Sequence, residues 1–182
     1  MADGPSRPSK GAAVQHLVLR VRDIEASHRF YTEILGYEQC AELGDNYPDK
    51  MRFYRGDENH HHDFALAQLR NPESAPPVES PWKMFGETPG IDHIAMSYPD
   101  RESWLNQLAW MKSQGVEFLI RGNHGMTHSL YVTDPDGNGI EVLYDVPKDA
   151  WEGDVNAALN YFEYLPLDGD ETLEDSTDYV KF

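Results

Sequence analysis

Three things are scarce in this 182-residue chain. Cysteine occurs once, at Cys40, so one chain can form neither a disulfide framework nor a multi-thiolate metal site. No apolar run approaches the ~20 residues that span a bilayer, and Met1 to Lys10 is rich in Gly, Pro and Ser where a signal segment would be apolar. Basic residues are few: 15 Lys and Arg stand against 32 Asp and Glu, a formal net charge of −17. Nucleic acid and anionic membrane both require a basic face, so neither is expected as a partner. Cytoplasmic residence is the expectation that follows.

What is present is enough apolar sequence, 40% of residues, for one domain with a real core. We expect a flexible arm over 1–12, a single domain over 13–146 and an acidic extension over 147–182. The acidity of that extension reads as solubility, although its stretch Trp151 to Leu167 is too aromatic to be wholly disordered.

The domain carries a degenerate repeat. Val14 to Val21 alternates as a strand, with His16, Val18 and Arg20 on one face. Ile24 to Leu35 has a helical apolar stripe and Gly36 as its stop. Strands are then predicted at Tyr37 to Leu43, Met51 to Tyr54 and Phe64 to Leu69. A proline-rich connector over 71–89 contains Trp82, Met84 and Phe85, residues suited either to lining an aromatic pocket or to packing. The pattern returns with a strand at Ile91 to Tyr98, where His93 occupies the place of His16. A helix over Arg101 to Gln114 stops at Gly115, and Val116 to Ile120 is predicted as a strand. A hairpin follows: Ser129 to Thr133, the turn Asp134-Pro135-Asp136-Gly137-Asn138-Gly139, and Ile140 to Tyr144. The expected fold is α+β, with two βαβββ modules over 13–70 and 90–146 forming a curved, partly closed mixed sheet around a metal cleft.

Glu141 sits in an otherwise apolar strand, and a buried carboxylate needs a cationic partner. If the modules pair, His16, His93 and Glu141 converge from three strands. Two imidazoles and a carboxylate form the facial set that leaves open positions on non-haem Fe(II), although Mn(II) or zinc suits the same donors.

Three motifs carry a resemblance: H-H-D-F-A-L at His61 to Leu66, G-I-D-H-I-A-M at Gly90 to Met96, and Y-V-T-D-P-D-G-N-G-I-E at Tyr131 to Glu141. With them, the chain over Val14 to Tyr144 resembles the type I extradiol ring-cleaving dioxygenases of the vicinal oxygen chelate superfamily. The resemblance implies Fe(II), with Mn(II) as a substitute, on His16, His93 and Glu141. It implies His62 as the acid–base histidine and Tyr131 as a hydrogen-bond donor to the bound catechol oxygen. His124 is the implied histidine of the H-G-x-T segment, with His128 as the alternative. The implied reaction inserts both atoms of O2 into a catechol-type diol and opens the ring beside it. Relatives often have a second, inactive domain, so a homo-oligomer is expected here. A glyoxalase, or a thiol transferase to an epoxide antibiotic, would share the fold. A glyoxalase-like site would want a second strand carboxylate, where Phe64 to Leu69 offers only Gln68. A metal-free binding module would not need His16, His93 and Glu141 together.

Overall fold

A computed structural model describes residues 13–76, 78, 82–86 and 89–182. The expected arm over 1–12 lies outside the described residues. The first module runs β1 (Leu17–Val21), α1 (Ile24–Arg29), β2 (Glu38–Glu42), β3 (Met51–Arg55) and β4 (Phe64–Gln68). The second runs β5 (His93–Tyr98), α2 (Arg101–Ser113), β6 (Ile120–Asn123), β7 (Thr127–Thr133) and β8 (Gly139–Asp145). The first sheet has strand order β1-β4-β3-β2, with β1 and β4 parallel. The second has order β5-β8-β7-β6, with β5 and β8 parallel, extended beyond β6 by β9 (Glu163–Tyr164). No ladder joins β1 to β5, so the two mixed sheets remain separate and the curved surface between them is open.

Local chemistry accounts for most boundaries. The Asp23 carboxylate caps α1 by accepting from the amides of Glu25 and Ala26, and Asp100 caps α2 through Ser103. The stripe predicted to run to Leu35 as one helix changes pitch instead. Phe30–Ile34 forms a wider turn in which the Leu35 N–H reaches back to the Phe30 carbonyl. Gly36 and Gly115 then end the helical segments at φ +82° and +75°, a region glycine enters without strain. The strand predicted at Val116 to Ile120 is displaced: β6 occupies Ile120–Asn123, and residues 116–119 before it form no regular element. Each sheet turns one face to a shared core, built from Leu19, Val21, Tyr31, Phe64 and Leu66 with Trp104, Leu108, Leu130, Val142 and Tyr144. The opposite face of β1 is uncovered, with Val18 48% exposed.

Polar contacts lock the modules together. Tyr31 donates to the Asp134 carboxylate at 3.0 Å, and Arg22 pairs with Asp136 at 2.8 Å. Asp134 also accepts from the amides of Asp136 and Asn138, so it caps the hairpin turn as its residue type suggests.

The acidic extension is not a free tail. Its β9 pairs with β6, and the Phe182 amide donates to the Ala150 carbonyl. The Asp175 side chain is 1% exposed. It takes hydrogen bonds from His128 at 2.8 Å and Tyr144 at 2.6 Å, and lies 3.4 Å from both Arg121 and Arg101. A solvated-tail reading misses this because acidic composition says nothing of which carboxylate is paired. Burial pushes the Asp175 carboxyl up, but the bonds from His128 and Tyr144 and the charges of His128 and Arg121 outweigh it. The carboxyl is held below its ordinary 3.8. A depressed carboxylate stabilises the fold above its unfolded-state pKa and loses that contribution as pH falls through the folded value. Asp175→Ala is therefore expected to cost about 3–5 kcal/mol, the range for stranding a buried partner. Asp175→Asn should flatten the acid-side loss of stability. Urea unfolding at neutral pH and at pH values descending through 3.8 measures both.

Candidate metal centre

The hairpin β7–β8 places the chemistry. Its register sets Tyr131 directly opposite Glu141, which is why the two are ten positions apart in sequence. The Tyr131 hydroxyl donates to Glu141 Oε1 at 2.8 Å, so its lone pair faces the N–H of His124 Nε2 at 3.0 Å. Glu141 is 6% exposed. Its second oxygen, Oε2, lies 3.1 Å from His93 Nε2. Among the described residues no Lys or Arg reaches this carboxylate, and its partners are a phenol and an imidazole. Burial, with the negative charge of Glu141 alongside, pushes the Tyr131 phenol far above its ordinary value, which keeps it a proton donor. Burial pushes the His124 imidazole down, against the pull of Glu141.

His93 is oriented from behind. Its Nδ1 bonds Asp92 Oδ1 at 2.8 Å, which leaves Nε2 turned to Glu141. A carboxylate on the far nitrogen of an imidazole is the usual support of a metal-binding histidine. Trp82 covers this group: its indole donates to the Asp92 carbonyl and stacks on Tyr131, with centroids 5.5 Å apart and planes at 10°. A Cβ at Gly139 would lie 2.5 Å from that indole, so glycine there admits it. The Phe85 ring takes no part, being 85% exposed, but its amide donates to Asp92 Oδ2 at 2.7 Å and so steadies that support.

His16 and His62 lie together on the first sheet. His16 directly precedes β1 and is exposed, and its ring centroid is 4.7 Å from that of His62. Phe53 packs edge-on against His62. Partial burial pushes the His62 imidazole below its ordinary value, and the neighbouring His61, His16 and His60 add to the shift. Among the described residues no three imidazole, thiol or carboxylate groups stand close enough to hold one ion. The six predicted residues thus form two half-sites: His93, Glu141, Tyr131 and His124 on the second sheet, His16 and His62 on the first. The second-sheet half fits a divalent cation, because one nitrogen and one oxygen donor already face each other with oriented supports behind them.

His128 is not part of either half. It alternates with Tyr131 along β7, on the face of Leu130 and Val132, and there bonds Asp175. Strand parity alone distinguishes it from His124. Strand register also relocates the position that matters for a second carboxylate. Glu141 stands opposite Ala95, two residues after His93. Two residues after His16 is Val18, which stands opposite Ala65. The first-module counterpart of Glu141 is therefore Ala65 rather than Gln68, and it carries no donor. Sequence reading also missed Asp92, although a carboxylate adjacent to a strand histidine is a signal for a supporting partner.

Comparison with known proteins agrees with this architecture. The chain is 30% identical over 134 residues to a biphenyl-2,3-diol 1,2-dioxygenase of Rhodococcus globerulus, covering 71% of this chain and 62% of that protein. It is 28% identical over 136 residues to a catechol-2,3-dioxygenase of Bacillus subtilis, covering 75% and 42% respectively. The chain thus matches less than two thirds of the length of either relative. In fold it resembles a fosfomycin resistance protein of Listeria monocytogenes, solved with Mn(II), with a TM-score of 0.51, 18% identity and coverage of 73% of this chain and 92% of that one. The family model for the Glyoxalase/Bleomycin resistance protein/Dioxygenase superfamily matches residues 13–142, and the chain belongs to that superfamily.

Proposed function

We propose that the protein is an extradiol dioxygenase that opens the ring of a catechol-type diol with O2, using Fe(II) held by His16, His93 and Glu141. The observation that carries this reading is the donor set. The second module supplies one carboxylate and one imidazole, and the first supplies an imidazole at His16 with Ala65 where a second carboxylate would stand. One carboxylate and two imidazoles suit an open-sided Fe(II) centre, whereas a lyase of this fold would want a second carboxylate. The dioxygenase relatives, and Mn(II) on a protein of like fold, support a divalent metal and this substrate class. His16, His93 and Glu141 would hold the ion, which would require the two half-sites to approach each other.

Bound there, the metal would bring diol and dioxygen together and carry electrons between them. The protein residues supply orientation and protons. Tyr131 stays protonated and presents its O–H beside Glu141, where a diol oxygen would approach. His124 holds that hydroxyl from the other side. His62, kept neutral near pH 7 by its lowered pKa, is able to accept a diol proton and return it as the ring opens. Trp82 supplies a flat face suited to an aromatic ring.

Aerobic incubation of Fe(II)-loaded protein with a panel of monocyclic and bicyclic diols should give a yellow ring-opened product. No ring-opened product from any diol would overturn the reading. Glu141→Ala should lose metal, read by iron content after anaerobic loading. His62→Ala should keep the metal and lose about 10²–10⁴ in turnover, the usual share of general acid–base catalysis. Asp92→Ala should weaken metal affinity about 10- to 100-fold by freeing the His93 ring, measured by anaerobic calorimetry.

A further inference from the structure

The C-terminal extension returns to the half-site on the second sheet. We propose that Phe162, which the extension lays across Gly122, is a positioning residue for His124 and the wall that limits substrate size on that side. The proposal rests on the diol-cleaving reading for its substrate, and on geometry for its residue.

Three observations carry it. First, the placement is built. Gly122 pairs with Tyr164 and Asn123 with Glu163, and the Leu165 amide donates to the Arg121 carbonyl at 2.9 Å, so the backbone on either side of the contact is fixed. Second, the sequence makes room for the ring. A Cβ at Gly122 would fall 2.6 Å from Phe162 Cε2, so no other residue fits there unless Phe162 moves. Glycine inside a strand weakens it and marks a close approach, and here the approach is that of one aromatic side chain. Third, the ring touches the site. Its centroid is 4.9 Å from that of His124 at 66°, and His124 leads through Tyr131 to Glu141. Tyr164 supports Phe162 edge-on at 4.7 Å.

Phe162 itself remains 39% exposed, so part of the ring borders open space. Tyr131 then has a stacked indole from Trp82 close by, and His124, its hydrogen-bond partner, is covered by Phe162. A single diol ring leaves Phe162 in place. A bulky substituent directed past His124 meets it. The same contact restrains the His124 ring, which has one hydrogen bond to Tyr131 and would otherwise swing toward solvent.

The test compares Phe162→Ala and Phe162→Leu with the wild type. In metal-free protein, NMR titration of the His124 ring should show its midpoint rising toward the ordinary 6.5 in Phe162→Ala, with Phe162→Leu in between. This readout needs no turnover. In iron-loaded protein, the ratio of kcat/KM for 2,3-dihydroxybiphenyl to that for catechol should rise about tenfold in Phe162→Ala, the effect of opening an apolar pocket. With catechol itself kcat should fall more than KM changes. An unchanged His124 titration overturns the positioning role, and an unchanged substrate ratio overturns the wall. If the wild type opens no diol, the dioxygenase reading fails alone, and the titration still decides whether Phe162 holds His124.

Discussion

The site depends on one cross-strand pair, Tyr131 opposite Glu141. A carboxylate in a buried strand is tolerated only when its oxygens are satisfied, and β7–β8 pairing supplies the phenol for one of them. The neighbouring β5–β8 ladder brings up His93 for the other. A slip of one residue in the hairpin would send Glu141 to the face of Leu130 and Val132, among core side chains. The turn at Asp134 to Asn138 prevents that slip. Its amides are collected by the Asp134 carboxylate, which is anchored in turn to Tyr31 of the first module. The register of Tyr131 and Glu141 is thus held from a distance, by a tyrosine of the other module.

Charge is distributed accordingly. The chain is strongly acidic, yet the cations that pair with buried or half-buried carboxylates are used for architecture: Arg22 with Asp136, and Arg121 and Arg101 with Asp175. Among the described residues none of them serves Glu141. A buried carboxylate with neither Lys nor Arg beside it keeps its demand for positive charge, which a divalent ion meets. The exposed Arg52–Glu25 and Arg55–Glu38 pairs are a different matter, since surface pairs contribute little.

Much of this was legible in the chain. The repeat, the helix after Asp100 and the hairpin follow from periodicity and turn residues, which are local, whereas the facing of Tyr131 and Glu141 is set by the β7–β8 register. The choice between His124 and His128 stayed open, because the strand predicted from Ser129 begins at Thr127 instead and only then sets His128 on the face opposite Tyr131. What was not legible needed register or long-range pairing. Gln68 looked like the counterpart of Glu141 until the β1–β4 ladder put Ala65 there. Asp175 looked like one acid among many until Arg121, His128 and Tyr144 closed around it. Phe162 was invisible as a site residue because its partner is an absence, the missing side chain of Gly122.

The bond from Tyr31 to Asp134, together with Arg22 on Asp136, has a consequence for how such a chain can diversify. The hairpin that carries Glu141 and the first-module residues that brace its turn are far apart in sequence but act as one mechanical unit. A recombinant joining halves of two different parents would align its hairpin only where one parent's Tyr31 and Arg22 positions met acceptors at the other's Asp134 and Asp136 positions.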